Sequence, residues 1–259
     1  MHQKKDSRRP LIVYYIISLV VVLLLNTLLF PQIERYSVKE VAYSEFLTML
    51  DEGKIALDYY HSRGYTDATI KHFGLGYAPN DWTRLTDLLA SKGFRYEDMV
   101  AAQLSRKSEK SGRYYDVFRD RVMFPIIDLR GNVIAFGGRV MDDSKPKYIN
   151  TSDTLVYKKS NGVFALNFAK NANDNKLILV EGYMDVIALH QAGFTNAIAC
   201  LGTAFTSEQA NLLSRYADEV IICYDNDEAG QKATTRALGV LNSIGMKVRV
   251  VHLSGGKDP

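Results

Sequence analysis

Residues 177–200 read LILVEGYMDVIALHQAGFTNAIAC. An apolar run, Leu177–Val180, ends in Glu181-Gly182, a helical pattern follows over Tyr183–Gln191, and a second apolar run closes at Ala197–Cys200. Short apolar runs joined by a helix of this length predict a βαβ unit, and so a mainly parallel sheet. Working outward, the pattern continues. Val220–Tyr224 and Val248–Leu253 read as two further strands, with helices predicted over Ser207–Tyr216 and Glu228–Ile244. Strands of a parallel sheet deliver their carboxyl ends to one edge, where ligands bind.

That edge collects acids. Leu177–Val180 runs into Glu181, with Asp185 one helical turn later. Val220–Tyr224 runs into Asp225 and Asp227, and the last strand runs into SGGKDP with Asp258. Two carboxylates about 4 Å apart repel by about 4 kcal/mol at an effective dielectric near 20. A group of them protonates or recruits a cation. Hard divalent ions take oxygen ligands, and Mg²⁺ combines one or two carboxylates with substrate phosphates. The expectation is a Mg²⁺ or Mn²⁺ site for phosphoryl-type transfer. A single Asp here would read equally well as a helix N-cap. The repetition after three strands favours metal. Gly182 and Gly230 follow these acids, where a missing Cβ lets backbone or phosphate come close. Glu228 is expected to face solvent.

Upstream, FRDRVMF, GGRV and SKPKY place Arg119, Arg121, Arg139, Lys145, Lys147 and Tyr148 ahead of the sheet. Arg119 and Arg121 are two apart and would share a face of a strand. Such a basic face suits a polyanion, with Tyr148 available to stack on a base. Spacing alone favours a solvated charged surface with Arg–Asp pairs to Asp116 and Asp120. RVMFPIIDLRGNVIAFGGRV reads as two strands about a turn at Leu129–Asn132, and Thr66 as the cap of a helix over Asp67–Phe73. A second helical unit is expected over Trp82–Lys92, a polar loop from Gln103 to Tyr114, and a core role for Trp82. His190 is expected on the helix after Glu181 as a surface or packing residue.

The chain has 259 residues, enough for two modest domains, and its net charge of +3 is too small to imply nucleic-acid binding without local clustering. Cys200 and Cys223 each lie in an apolar run and read as buried free thiols, so no zinc site is expected.

The amino end is different. Lys4, Lys5, Arg8 and Arg9 precede an uncharged apolar run over residues 11–30. About 20 helical residues span a ~30 Å hydrocarbon core. A single transmembrane helix with its amino end in the cytoplasm is expected. This opening, through VKEVAYSEFLTMLDEGKI, resembles the amino end of FtsH-type membrane AAA proteases. It lacks that family's GxxxxGK[ST] phosphate loop and its zinc-binding HExxH.

The remainder resembles another family. LVEGYMDVIALHQAGFTNAIACLGTAFT, IICYDNDEAGQKA and GGKDP are similar to the TOPRIM domain of topoisomerases and bacterial primases. RGYTDATIKHFGLGYAP, FRDRVMFPIIDLRGNVIAFGGRV, SKPKYINTSDT and GVFALN narrow the resemblance to the catalytic core of bacterial DnaG-type DNA primase, over about residues 52–259. It implies an α/β fold, with a mixed α/β basic subdomain over 55–170 and a TOPRIM sheet over 171–259, following the membrane segment expected over 1–54. It implies Glu181, Asp225 and Asp227 as catalytic metal ligands, with Asp185 and Asp258 in support. The six basic-segment residues named above would line the nucleotide and template path. Expected partners are single-stranded DNA and ribonucleoside triphosphates, and the family's location is the cytoplasm. The family's zinc ribbon and helicase-binding domain are not recognisable here, and the metal set is expected to lack a carboxylate beyond Pro259. Asp51–Ile55 fits both resemblances, so a fusion of two unrelated sequences is expected at that point. The rival readings are another TOPRIM enzyme, a topoisomerase or nuclease, and a non-catalytic membrane-anchored fragment.

Overall fold

The computed structural model describes residues 53–172, 175–200 and 204–251. The chain divides into units 1–42 and 43–259, and every described residue belongs to the second. The apolar run 11–30, the seam through residue 52 and Asp258 therefore lie outside the described residues. Among the described residues no helix is long and apolar enough to cross a membrane.

The described chain begins with α1 (Lys54–Ser62) and α2 (Asp67–Phe73), followed by β1 (Gly76–Ala78), α3 (Arg84–Ser91) and α4 (Tyr96–Ala101). Thr66 caps α2 as expected, its hydroxyl accepting from the Thr69 N–H at 3.2 Å. Gly74 closes that helix at φ 62°, a backbone conformation that favours glycine. Next come β2 (Ser105–Lys107), β3 (Tyr114–Asp116), β4 (Arg121–Ile127), β5 (Val133–Arg139), β6 (Tyr148–Asn150) and a single turn of helix, α5 (Leu166–Ala169). The predicted hairpin is β4–β5. It belongs to an antiparallel sheet of order β1-β4-β5-β6, while β2 and β3 form a separate two-stranded ribbon. The stretch from Gln103 to Tyr114 is thus not wholly a loop. Pairing of Arg106 with Tyr115 and Lys107 with Tyr114 makes its first part a strand.

The carboxyl third alternates as its sequence predicts: β7 (Lys176–Val180), α6 (Tyr183–Gln191), β8 (Ala197–Ala199), α7 (Ser207–Leu213), β9 (Glu219–Ile222), α8 (Glu228–Ser243) and β10 (Lys247–Val250). The sheet order is β10-β9-β7-β8, all parallel. β7, β8 and β9 are the buried strands and carry the apolar runs, while β10 at the edge alternates charged and apolar residues. Leu177, Leu179, Val220 and Ile222 pack into a core with α7 and α8, while Val180 and Cys223 join a second core with α1, α2, α6 and β4.

Tyr183 couples the two sheets. Its ring stacks on Phe124 of β4 at 4.8 Å, and its hydroxyl donates to Asn150 Oδ1 at 2.9 Å. Gly137 of β5 makes room for it, since a Cβ there would sit 2.3 Å from the Tyr183 hydroxyl oxygen. The residue after Glu181-Gly182 therefore fixes the acid-bearing edge against the antiparallel sheet. His190 is buried behind it, its Nε2–H donating to Ala197 O at 2.8 Å, against Phe73 and Phe168.

Candidate active site

The acids lie where the parallel sheet predicts. Glu181 follows β7, and Asp225 and Asp227 follow β9, on the central pair of strands. The Asp225 N–H donates to Glu181 Oε1 at 3.2 Å, which closes a contact across 44 residues of sequence. Gly230, in the first turn of α8, sits against both groups. A Cβ there would lie 2.0 Å from Asp225 O and 2.9 Å from Glu181 Oε1. The close approach expected at Gly230 is thus to the acids' own backbone and carboxylate.

Asp227 is the N-cap of α8, its carboxylate accepting from the Gly230 N–H at 2.9 Å. Asp185 accepts from the Gly182 N–H at 3.0 Å, in the first turn of α6. Each carboxylate faces the positive end of a helix, which stabilises the ionised form. The helix-cap reading thus holds for Asp227. Burial pushes the Cys223 thiol up, and the charges of the Asp185 and Asp225 carboxylates add to the shift. Asp185 thereby shares an environment with Asp225, although 40 residues separate their positions. Glu228 is exposed and paired with Lys232 at 2.5 Å, facing solvent as expected. Both cysteines are free thiols. Cys223 is buried and Cys200 partly so.

Among the described residues, no three His, Cys, Asp or Glu side chains are gathered closely enough to hold an ion alone. The donor set is nonetheless of the right chemistry. It is all oxygen, half-buried, and placed beside a groove of about 250 Å³ lined by Tyr224, Asp225, Asn226, Gln231, Thr234 and Thr235 among others. Such a set suits a hard ion that completes its shell with water and phosphate oxygens.

The basic segment departs from its expected arrangement. Arg119 precedes β4, and Asp120 between it and Arg121 has φ 48°, so strand alternation does not link the two arginines. Arg121 is buried and donates to Lys147 O at 3.3 Å, binding β4 to the β5–β6 connection. Arg119 instead lies over the indole of Trp82, 4.1 Å from its centroid, and 5.5 Å from that of Tyr115. Its guanidinium also donates to Asp116 O. Trp82 is 63% exposed, contrary to the expected core role. The helical period of Trp82, Leu85 and Leu89 is what suggests a core role, but the helix begins only at Arg84, after Trp82. Nor do the expected Arg–Asp pairs carry this segment. The Asp116 carboxylate accepts from the Leu85 and Thr86 N–H groups, each at 2.8 Å, and Asp120 accepts from the Tyr77 hydroxyl.

Arg139 ends β5 opposite Tyr148 of β6. Its guanidinium lies 5.3 Å from the Tyr59 ring centroid and 5.7 Å from that of Tyr148. It is 8% exposed, and among the described residues its Nε and Nη1 are buried without a hydrogen-bond partner, as is the Tyr59 hydroxyl. Unsatisfied buried donors on a cation are costly, and an anionic oxygen satisfies them. Tyr148 is half-buried between Arg139 and Tyr183, and burial raises its hydroxyl pKa. Its ring is occupied and not presented for stacking. Lys145 and Lys147 are exposed on the preceding loop. Sequence reasoning missed Arg63, whose guanidinium lies 5.4 Å from the Tyr59 ring centroid and acts electrostatically on the Tyr65 and Tyr148 hydroxyls that Asp185 also reaches.

Residues 43–170 match the family described as DNA primase catalytic core, N-terminal domain, and residues 178–259 match the Toprim-like family. The E. coli primase catalytic core superposes with a TM-score of 0.77 at 38% identity, over 84% of this chain and 71% of that one. The chain belongs to the DnaG-type primase catalytic core family. A structure of the DnaG primase catalytic domain bound to ssDNA gives a TM-score of 0.75 at 38% identity, over 84% of this chain and 72% of that one. The DNA primase of Clostridium acetobutylicum is 46% identical over 225 residues, which is 86% of this chain. This chain spans 37% of that relative's length and 36% of the Deinococcus radiodurans DNA primase, also 46% identical. The primase match begins at residue 43, ahead of the seam expected at Asp51–Ile55. The mixed α/β core followed by a parallel Toprim sheet is the expected architecture.

Proposed function

We propose that this chain carries out the nucleotidyl transfer of a primase, extending a ribonucleotide primer on single-stranded DNA. The observation that carries the reading is the convergence of Glu181 and Asp225 at Gly230 on the carboxyl edge of the parallel sheet. Glu181, Asp225 and Asp227 would hold Mg²⁺ or Mn²⁺, with Asp185 and Asp258 in support. Bound there, the ion supplies charge neutralisation on the triphosphate and its leaving pyrophosphate. The helix N-termini hold the Asp185 and Asp227 carboxylates in place through the Gly182 and Gly230 N–H groups. The unsatisfied Nε and Nη1 of Arg139 offer two donors to a phosphate oxygen, and Tyr59 and Tyr148 fix the guanidinium plane. Arg63 adds charge on the same side. Arg119 on Trp82 forms an exposed cation-on-aromatic platform suited to a single strand, whose bases stack while its phosphates pair. Arg121 acts by holding the strands that carry these groups. Lys145 and Lys147 would contact phosphate from an exposed loop. The ssDNA bound by the related DnaG catalytic domain supports the choice of template.

The apolar run 11–30 and its basic flank remain our basis for a membrane anchor, and the FtsH-like opening for a fusion. Neither bears on the described unit. A primer-synthesis assay on single-stranded DNA with Mg²⁺ or Mn²⁺ tests the main reading. Synthesis is expected from the wild-type chain and should be lost in Asp225→Asn with Asp227→Asn. Synthesis that survives both substitutions would remove the metal assignment.

A further inference from the structure

We infer that the outer face of the β2–β3 ribbon is a second stretch of single-stranded DNA surface, continuing the Trp82–Arg119 platform. This rests on the template reading of that platform. Residues opposite one another in an antiparallel pair share a face, and alternate residues change face. The register pairs Ser105 with Asp116, Arg106 with Tyr115 and Lys107 with Tyr114. One face therefore carries Ser105, Lys107, Tyr114 and Asp116. It is turned inward, because Ser105 and Asp116 are buried and Tyr114 stacks on Tyr96 at 4.5 Å. The other face carries Arg106 and Tyr115, and Arg113 continues the alternation where its carbonyl accepts from the Ser108 N–H at 2.8 Å.

Tyr115 links this face to the platform. Its ring lies 5.8 Å from that of Trp82, and Arg119 lies over both. Arg113 is two strand residues from Tyr115, roughly 7 Å away along the ribbon. The row is thus Trp82 and Arg119, then Tyr115 with Arg106, then Arg113: aromatic rings interleaved with cations. Arg106 and Arg113 are exposed. Of the nearby carboxylates, Asp116 is buried on the opposite face and committed to the amino end of α3, Asp81 beside Trp82 accepts from the Thr83 and Arg84 N–H groups, and Glu109 lies in the turn with Lys110. A strip of arginines interleaved with aromatic rings complements a single nucleic-acid strand by charge and by stacking. A folded acidic protein would match the charge but leave the ring face of Tyr115 unused.

The neighbouring cations provide a control. Lys107 lies on the inward face over the Tyr114 ring, at 5.5 Å, and Lys110 lies in the turn. Arg106→Ala with Arg113→Ala, and Lys107→Ala with Lys110→Ala, each remove two charges. The assay is binding of fluorescein-labelled oligothymidylates of increasing length to the full chain across a salt series, with emission of Trp82 followed in parallel. Trp82 is the sole tryptophan of the sequence, so that signal reports the platform. The arginine pair should lower the salt slope by about 1.4, because each single-strand phosphate contact contributes about 0.7. The loss should appear only with oligomers long enough to pass the platform. The lysine pair should leave the slope near wild type.

Equal loss from both pairs would mean a diffuse field and overturn the strip. So would an arginine pair that binds long oligomers as wild type does while Trp82 still responds to DNA. A Trp82 signal unmoved by DNA in the wild type would instead sink the platform reading itself. Unchanged thermal midpoints for both pairs exclude unfolding as the cause. Loss of binding to an acidic protein, with DNA affinity intact, would assign the strip to a protein partner and contradict the inference.

Discussion

Gly230→Ala separates stability from function at the acid-bearing edge. The new methyl would lie 2.0 Å from Asp225 O, where ordinary contact begins at 3.4 Å, so the first turn of α8 and the Asp225 backbone must part by about 1 Å or more. Overpacking of this kind costs about 1–3 kcal/mol, and replacing a helical glycine by alanine returns up to about 1 kcal/mol. The net loss of stability is therefore about 0–3 kcal/mol. The effect on synthesis should be larger, because a misplacement of about 1 Å in a positioned group costs about 10²-fold in rate. Gly239→Ala in the same helix meets nothing within 4 Å and should be neutral to stabilising with normal activity. Urea denaturation and primer synthesis, measured on both variants, test the argument. Wild-type synthesis by Gly230→Ala would refute it, because the edge would then tolerate a displacement of the very groups proposed to hold the ion.

Three further outcomes are expected. Gly137→Ala places a methyl 2.3 Å from the Tyr183 hydroxyl oxygen and should lower the denaturation midpoint by more than Gly239→Ala changes it, at a cost of about 1–3 kcal/mol. Burial lowers the His190 pKa below its ordinary 6.5, so the unfolded chain binds the proton first as pH falls. Stability present above the unfolded value of about 6.5 is thus progressively lost as pH falls below it, and His190→Gln should flatten that part of a denaturant-midpoint profile. Asp116→Asn removes an acceptor from the amino end of α3 and loosens the segment whose backbone N–H holds Trp82 O at 2.7 Å. It should shift Trp82 emission and raise the KM for template while leaving that for triphosphate unchanged.

The parallel sheet was legible because a strand buried on both faces must be apolar throughout, and helices between such strands repeat on a different period. Residues 183–191 form the predicted helix without displacement. The acids were legible through topology alone, since parallel strands end on one edge. The local wiring was not legible. Glycine between Glu181 and Tyr183 does not disclose that Tyr183 locks onto Phe124, nor do the residues around Gly230 disclose that its open side faces Asp225 O. Arg119 and Arg121 show the limit of strand periodicity, because one left-handed residue, Asp120, breaks it. Trp82 reads as core on hydrophobicity, but stacking under Arg119 satisfies one ring face and leaves the other to solvent. The basic segment consequently divides into a buried, hydrogen-bonded member (Arg121), a buried member with unsatisfied donors (Arg139) and a member lying over an exposed ring (Arg119), a division that depends on burial and not on charge.

The central claim is that Glu181, Asp225 and Asp227 hold a divalent ion. The most direct test is Mn²⁺ binding to the whole chain, followed by electron paramagnetic resonance with and without a ribonucleoside triphosphate. The account predicts a bound signal that triphosphate strengthens and that disappears in Asp225→Asn with Asp227→Asn while the fold survives. Equal Mn²⁺ binding by the folded double variant and the wild type would contradict it.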